Sequence, residues 1–282
     1  GDPPLFLLYL KGADFMWFSG MFPQWLVAGI LLLGMYMLAD RYYYGKEPAE
    51  AKLRDQQEQE PIRLTGARNF LYLGMIIAAV LFINKNYIPA MADEHAPFYI
   101  AFLREIVLAA IIAVSLFTTK KGIREANNFS WAPILEVAIL FVGIFVTMTP
   151  AMLYLKANAS AMGLTEPWQF YYLTGTLSSF LDNAPTAIAF HSMAEGAMES
   201  GLIAAGDGVV AGIPELILQA IAISAVFFGA MTYIGNGPNF MVKAIAEQEG
   251  VKMPSFFGYI LKFSLVVLLP VYIIVQLIFF PF

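Results

Sequence analysis

The stretch Leu177-Ser178-Ser179-Phe180-Leu181-Asp182-Asn183-Ala184-Pro185-Thr186 interrupts an apolar run, 168–190. Aspartate, asparagine and proline within four residues stop a continuous helix there. Each remaining arm is too short to cross a hydrocarbon core, which takes roughly 20 apolar residues. The segment 168–194 therefore reads as a re-entrant hairpin. Such a tip is tolerated at membrane depth only where protein or a wet cavity covers its backbone. A second interruption follows. The apolar run 216–234 ends in Gly235-Asn236-Gly237-Pro238-Asn239. Two glycines and a proline in five residues make 216–247 a broken helix.

The rest of the chain is composed for lipid. Of 282 residues, 59% are hydrophobic and 13% charged, with a mean hydropathy of +0.68. A soluble domain has roughly 45–50% apolar and about 25% charged residues, so a soluble enzyme is excluded. The absence of cysteine removes disulfides, thiolate metal sites and cysteine nucleophiles. His95 and His191 are too few for a histidine metal cluster. A net charge of -5 argues against a nucleic-acid partner. Gly206-Asp207-Gly208 lacks the lysine of a phosphate loop, and no nucleophile–base pair stands out, so neither enzyme activity nor a cofactor is expected. Five stretches qualify as full spans: 21–39, 70–88, 98–118, 132–155 and 259–280. The polar stretch 40–69 is a solvated connector. The expected fold is all-α, a polytopic membrane protein.

Cationic residues set the orientation. Arg41, Lys46, Lys52, Arg54, Arg63, Arg68, Lys120, Lys121, Arg124, Lys243 and Lys252 fall on one side, and only Lys11, Lys85 and Lys156 on the other. The first side is cytoplasmic by the positive-inside rule. Direction also exposes a repeat. Gly1-Asp2-Pro3-Pro4-Leu5-Phe6 echoes Gly235-Asn236-Gly237-Pro238-Asn239-Phe240. Four crossings and one hairpin separate the copies, so they run in opposite directions, as in inverted-repeat transporters. The chain divides into 1–39, the end of a first repeat; 40–69, the connector; and 70–282, the second repeat. It opens on Gly1 with no preceding basic stretch or cleavage site, so it is expected to begin inside a longer protein.

The tip 177–186 and the break 233–239 together resemble the ion transporter superfamily. The likeness is closest to NhaD-type sodium/proton antiporters and the citrate transporters related to them, and it covers essentially the whole chain. The resemblance implies one hairpin and one broken helix per half. It further implies an absent N-terminal stretch carrying the partner hairpin, a homodimer, and a multi-pass protein of the bacterial inner membrane.

Asp182 is the first candidate for ion or proton coupling, because a carboxylate at membrane depth is costly and needs a purpose. Its bland role is a helix cap. Asp2 holds the matching place in the first break, with an exposed chain end as its alternative. Asn183 and Thr186 offer neutral oxygens, which hard cations take as ligands. Carried over from the resemblance, Ser178, Ser179, Asn183 and Gly235 line a cation site, with Asn183 and Gly235 as sodium ligands. The serines also suit helix packing. Asn236 and Asn239 flank the second break and serve either turn chemistry or site lining.

Arg104 and Glu105 are adjacent, so on a helix they are not expected to face each other. Glu136 and Glu215 suit structural roles. His191 suits packing, with a proton relay as alternative. Trp17, Trp25, Trp131 and Trp168 read as interfacial anchors.

The expected function is secondary transport, sodium against protons, with the ion as cargo. The alternative is sodium- or proton-coupled symport of citrate or another organic anion. The charge on Asp182 separates them, since it attracts a cation and repels a carboxylate. A non-transporting scaffold would not need either break. The orientation is testable because the chain is cysteine-free. With cysteine introduced at Gln57, an impermeant thiol reagent should label inverted vesicles and spare intact cells. Labelling of intact cells would reverse the topology.

Overall fold

The computed structural model describes residues 3–50, 52–53, 64–85, 87–93, 95–206 and 208–282. Asp2 and the connector residues 54–63 lie outside that set. Among the described residues the fold is all-α apart from one two-stranded hairpin, Val209–Val210 against Ile213–Pro214, turned through Ala211 and Gly212. The chain forms two compact units, Gly1–Lys46 with Ile139–Phe282, and Glu47–Ala138. The division falls within the 26-residue helix Ala132–Ala157.

The first unit holds both interrupted segments. Helix Pro3–Leu10 begins at two prolines, whose fixed φ suits a first helical turn. It buries Leu7 and Leu8 and packs on the helices Asn183–Glu199 and Glu215–Phe227. Gly12, at φ 111°, turns the chain into a 3-10 stretch, Met16–Met21, which leads into helix Phe22–Gly45. Among the described residues two helices are long and apolar enough to cross a membrane: Met16–Gly45 and Phe256–Phe279. Phe22, Trp25, Ile30, Leu33 and Tyr36 of the first are exposed, as a lipid-facing surface requires.

The hairpin expected at 168–194 has arms Pro167–Ser178 and Asn183–Glu199, with 179–182 between them. A capping box starts the first arm, where the Glu166 N–H donates to Gln169 Oε1 at 3.0 Å. At 1.5 Å per residue the first arm is about 18 Å long, well short of the roughly 30 Å core. The second arm is buried along most of its length. Gly196 lets it lie directly on Ala132–Ala157: a Cβ there would sit 2.0 Å from the Lys156 carbonyl oxygen. The same junction carries ion pairs from Lys156 to Glu195 at 3.1 Å and Glu199 at 2.8 Å.

The broken helix runs as Glu215–Phe227, a 3-10 turn Phe228–Met231, extended Thr232, and a new helix Gly237–Gln248. The last span is helical over Phe256–Tyr259, π-helical over Ile260–Leu268 and α-helical over Leu269–Phe279. Pro270 has no N–H to return to Val266, and the widened turns lie just before it.

In the second unit the expected spans are shorter than their apolar runs. The run 70–88 is helical only over Arg68–Phe82, because Asn84 Nδ2 donates to the Leu81 carbonyl at 2.8 Å and turns the chain. The run 98–118 splits at Phe102 into Phe98–Ala101 and Leu103–Thr118. Arg68–Phe82 and Leu103–Thr118 pack through Tyr72, Ala79 and Ile111. The expectation for Arg104 is also corrected. Its Nη2 lies 2.5 Å from Glu105 Oε1. Helical spacing separates adjacent Cβ atoms, but the long arginine stem folds sideways at this first turn and closes the gap.

The Gly196 contact yields a test. Gly196→Ala forces a methyl into the Lys156 backbone, and overpacking of this kind costs about 1–3 kcal/mol. Its melting temperature in detergent should fall below wild type. Gly143→Ala, which has open space around it, should not lower it.

Candidate functional site

The tip of the hairpin is locked onto the break of the following helix. Asn183, 2% exposed, places its amide nitrogen 2.8 Å from the Gly235 carbonyl, 2.6 Å from Ser178 Oγ and 3.1 Å from the Ala225 carbonyl. Ser178 Oγ in turn donates to the Ala225 carbonyl at 2.6 Å. Thr232 Oγ1 donates to the Ser179 carbonyl and accepts from the N–H groups of Ile234 at 3.2 Å and Gly235 at 3.0 Å. One hydroxyl therefore ties the first arm to the break and shapes the turn that follows.

The break frees a run of backbone acceptors, and side chains take them one after another. Tyr272 donates to Phe227 O at 2.7 Å, Ser179 to Phe228 O at 3.1 Å and Asn239 to Gly229 O at 3.2 Å. Tyr259 donates to Ala230 O at 3.0 Å, Ser264 to Met231 O at 2.6 Å, and Asn239 again to Thr232 O at 3.1 Å. Helix ends leave carbonyls unbonded, and in hydrocarbon each must find a donor. Every carbonyl oxygen has a second lone pair, so these groups remain acceptors toward a cation.

Two glycines make the convergence possible. A Cβ on Gly235 would lie 2.5 Å from the Gly229 carbonyl oxygen and 3.0 Å from that of Ser179. A Cβ on Gly229 would lie 2.5 Å from the Asn183 amide. The result is a small, neutral, oxygen-rich cradle. The Asn183 and Asn239 amide nitrogens donate into this cradle, and each of its carbonyl oxygens keeps a second lone pair.

The structure thus joins Ser178, Ser179, Asn183, Gly235 and Asn239. Thr186 is buried, but its hydroxyl donates to the Asp182 carbonyl at 2.9 Å, within the hairpin itself. Asn236 caps helix Gly237–Gln248 by accepting from the Asn239 N–H at 3.0 Å. Asp182 occupies the N-cap position of Asn183–Glu199 without a side-chain cap bond, and its side chain is exposed at the tip. Asp2 lies outside the described residues. His191 is buried, with Nε2 2.8 Å from the Ala211 carbonyl, away from the tip.

Sequence reasoning passed over Thr232, Gly229, Tyr259, Ser264 and Tyr272. A signal was available. Ser264 and Tyr272 are eight residues apart in an apolar span, hence on one helix face, and hydroxyls in lipid need partners.

The Thr232 hydroxyl serves three backbone groups at once, which sets a clear expectation. Thr232→Val keeps the shape and strands the Ser179 carbonyl and two N–H groups, at about 1–3 kcal/mol per buried unmet group. The variant should melt well below wild type, while Thr232→Ser should stay close to it.

No curated protein and no solved structure matches this chain. Its residues 1–280 match the family described as "Putative citrate transport". The match spans nearly the full length, with the hairpin, the break and the last span inside it. It supports the citrate-transporter side of the resemblance drawn from the motifs, and it places the chain among integral membrane transporters. This chain belongs to the family described as "Putative citrate transport".

Proposed function

We propose that the protein is a secondary transporter that exchanges sodium for protons through the tip-and-break cradle. The convergence of the Gly229 and Ser179 carbonyl oxygens on Gly235, with Asn183, the neighbour of Asp182 in the chain, bonded to the Gly235 carbonyl, supports this proposal. The carbonyl oxygens supply the cation ligands, each through its second lone pair. The exposed Asp182 carboxylate can bind either a proton or an arriving sodium ion, so the two compete. Asp182, with Asp2 in the first break, is the coupling group. Asn183, Ser178, Ser179, Gly235 and Asn239 hold the ion, with Thr186 and Asn236 supporting the tip and the second helix. The division into repeats at 1–39 and 70–282, a homodimeric assembly and a multi-pass place in a bacterial inner membrane belong to the same proposal.

A sodium-coupled symporter of citrate or another organic anion is the second candidate, and the family description favours it. Two helix starts flank the cradle, Asn183–Glu199 and Gly237–Gln248. The partial positive charge of a helix start suits a carboxylate substrate. The carbonyl cradle then holds only the coupling sodium.

Proteoliposomes containing the full-length protein separate the two. A sodium gradient without citrate should acidify or alkalinise the lumen according to its direction if exchange is correct. Asp182→Asn, a good cap in its own right, should abolish that movement while the protein still folds. Apparent sodium affinity should weaken as pH falls, because protons then occupy the carboxylate, and this dependence should vanish in Asp182→Asn. Sodium-driven citrate uptake with no proton movement, surviving in Asp182→Asn, would instead establish the symporter.

A further inference from the structure

A second polar chain runs through the first unit, apart from the cradle. Trp17 Nε1 donates to Glu215 Oε1 at 2.8 Å. Gln219 Nε2 donates to the same oxygen at 3.3 Å. Gln24 Nε2 then donates to Gln219 Oε1 at 3.1 Å. The carboxylate orients the Gln219 amide by accepting from its nitrogen, and the Gln219 oxygen in turn orients the Gln24 amide. The sequence of donations ends at Gln24 Oε1. That oxygen is buried on a residue only 4% exposed, and no donor meets it. A buried acceptor without a donor calls for an explanation such as an ion or a water.

Position adds to the case. Glu215 opens helix Glu215–Phe227, and Gln219 lies one turn further along it. Ala225, whose carbonyl faces Ser178 and Asn183, follows six residues later, about 9 Å along the axis. The chain of amides starts at the half-exposed N-terminal end of the helix, runs one turn along it to Gln219 and crosses to the buried Gln24 of helix Phe22–Gly45. The groups along it are a carboxylate and amide oxygens, which suit a partly hydrated hard cation.

We propose that Gln24 Oε1, at the buried end of the Glu215–Gln219–Gln24 chain, is a second cation position, to which the half-exposed Glu215 carboxylate at the other end draws a sodium ion. It rests on the sodium-transport proposal above. Trp17 is a positioning residue and also a reporter, because its indole N–H is bonded to Glu215.

The test uses the fluorescence of Trp17 in full-length protein in detergent, with Trp17→Phe subtracted as the blank. Sodium should change this signal saturably, and choline at equal ionic strength should not. Gln24→Leu and Glu215→Gln should each weaken the apparent sodium affinity about 10-fold or more, the range found when groups supporting a metal site are lost. Gln24→Glu, which keeps an oxygen at the site, should retain the response and show that the site tolerates replacement. The response should also persist in Asp182→Asn, which removes the coupling charge beside the cradle and leaves the Glu215–Gln219–Gln24 chain intact. A Trp17 signal indifferent to sodium would overturn the proposal. So would a response lost in Asp182→Asn and unaltered in the Gln24 and Glu215 variants. Sodium-driven proton flux in wild-type proteoliposomes is read separately, so failure of the exchange proposal and failure of this second site are told apart.

Discussion

The six carbonyls from Phe227 to Thr232 impose the main constraint on this structure. A helix that stops inside a membrane protein exposes acceptors that water would otherwise satisfy. Each unmet group costs about 1–3 kcal/mol by mutational measure and more in hydrocarbon. Here the donors come from three places: Ser179 at the end of the first hairpin arm, Asn239 on the helix after the break, and Tyr259, Ser264 and Tyr272 on the last span. The break is thus held open by the elements around it.

The shapes of those elements follow. The last span has to present Tyr259 and Ser264 to neighbouring carbonyls and Tyr272 to one further back, and its π-helical turns before Pro270 lie between them. The hairpin tip has to bring the Ser179 carbonyl to the Thr232 hydroxyl, so the first arm ends at Ser178. Small residues then become obligatory. Gly175 leaves room for the Phe228 ring, Gly229 for the Asn183 amide and Gly235 for two carbonyl oxygens. A side chain at any of the three would push apart the groups that satisfy the break.

These constraints also give the site its character. Its contacts are hydroxyl, amide and carbonyl, while charge enters at the exposed Asp182 next to it in the chain. A neutral cradle avoids a permanent buried charge, which would be expensive at membrane depth. The Glu215–Gln219–Gln24 chain shows the same economy, with one half-exposed carboxylate and neutral amides leading inward.

Much of this was legible in the residues themselves. Composition alone set the molecule in lipid, because too few charges remain to coat a soluble surface. Proline and glycine mark the hairpin tip and the break wherever they occur, since they act through local backbone geometry. Asn183 and Gly235 stood out because a polar or flexible residue deep in an apolar run is rare. Other features depended on packing. The shortened helices at Arg68–Phe82 and Leu103–Thr118, and the Arg104–Glu105 pair, arise from local turns that hydropathy does not report. The roles of Thr232, Ser264 and Tyr272 were hidden because a hydroxyl in an apolar helix has many possible partners. Only the tertiary fold, by placing a particular freed carbonyl within its reach, decides which one it serves.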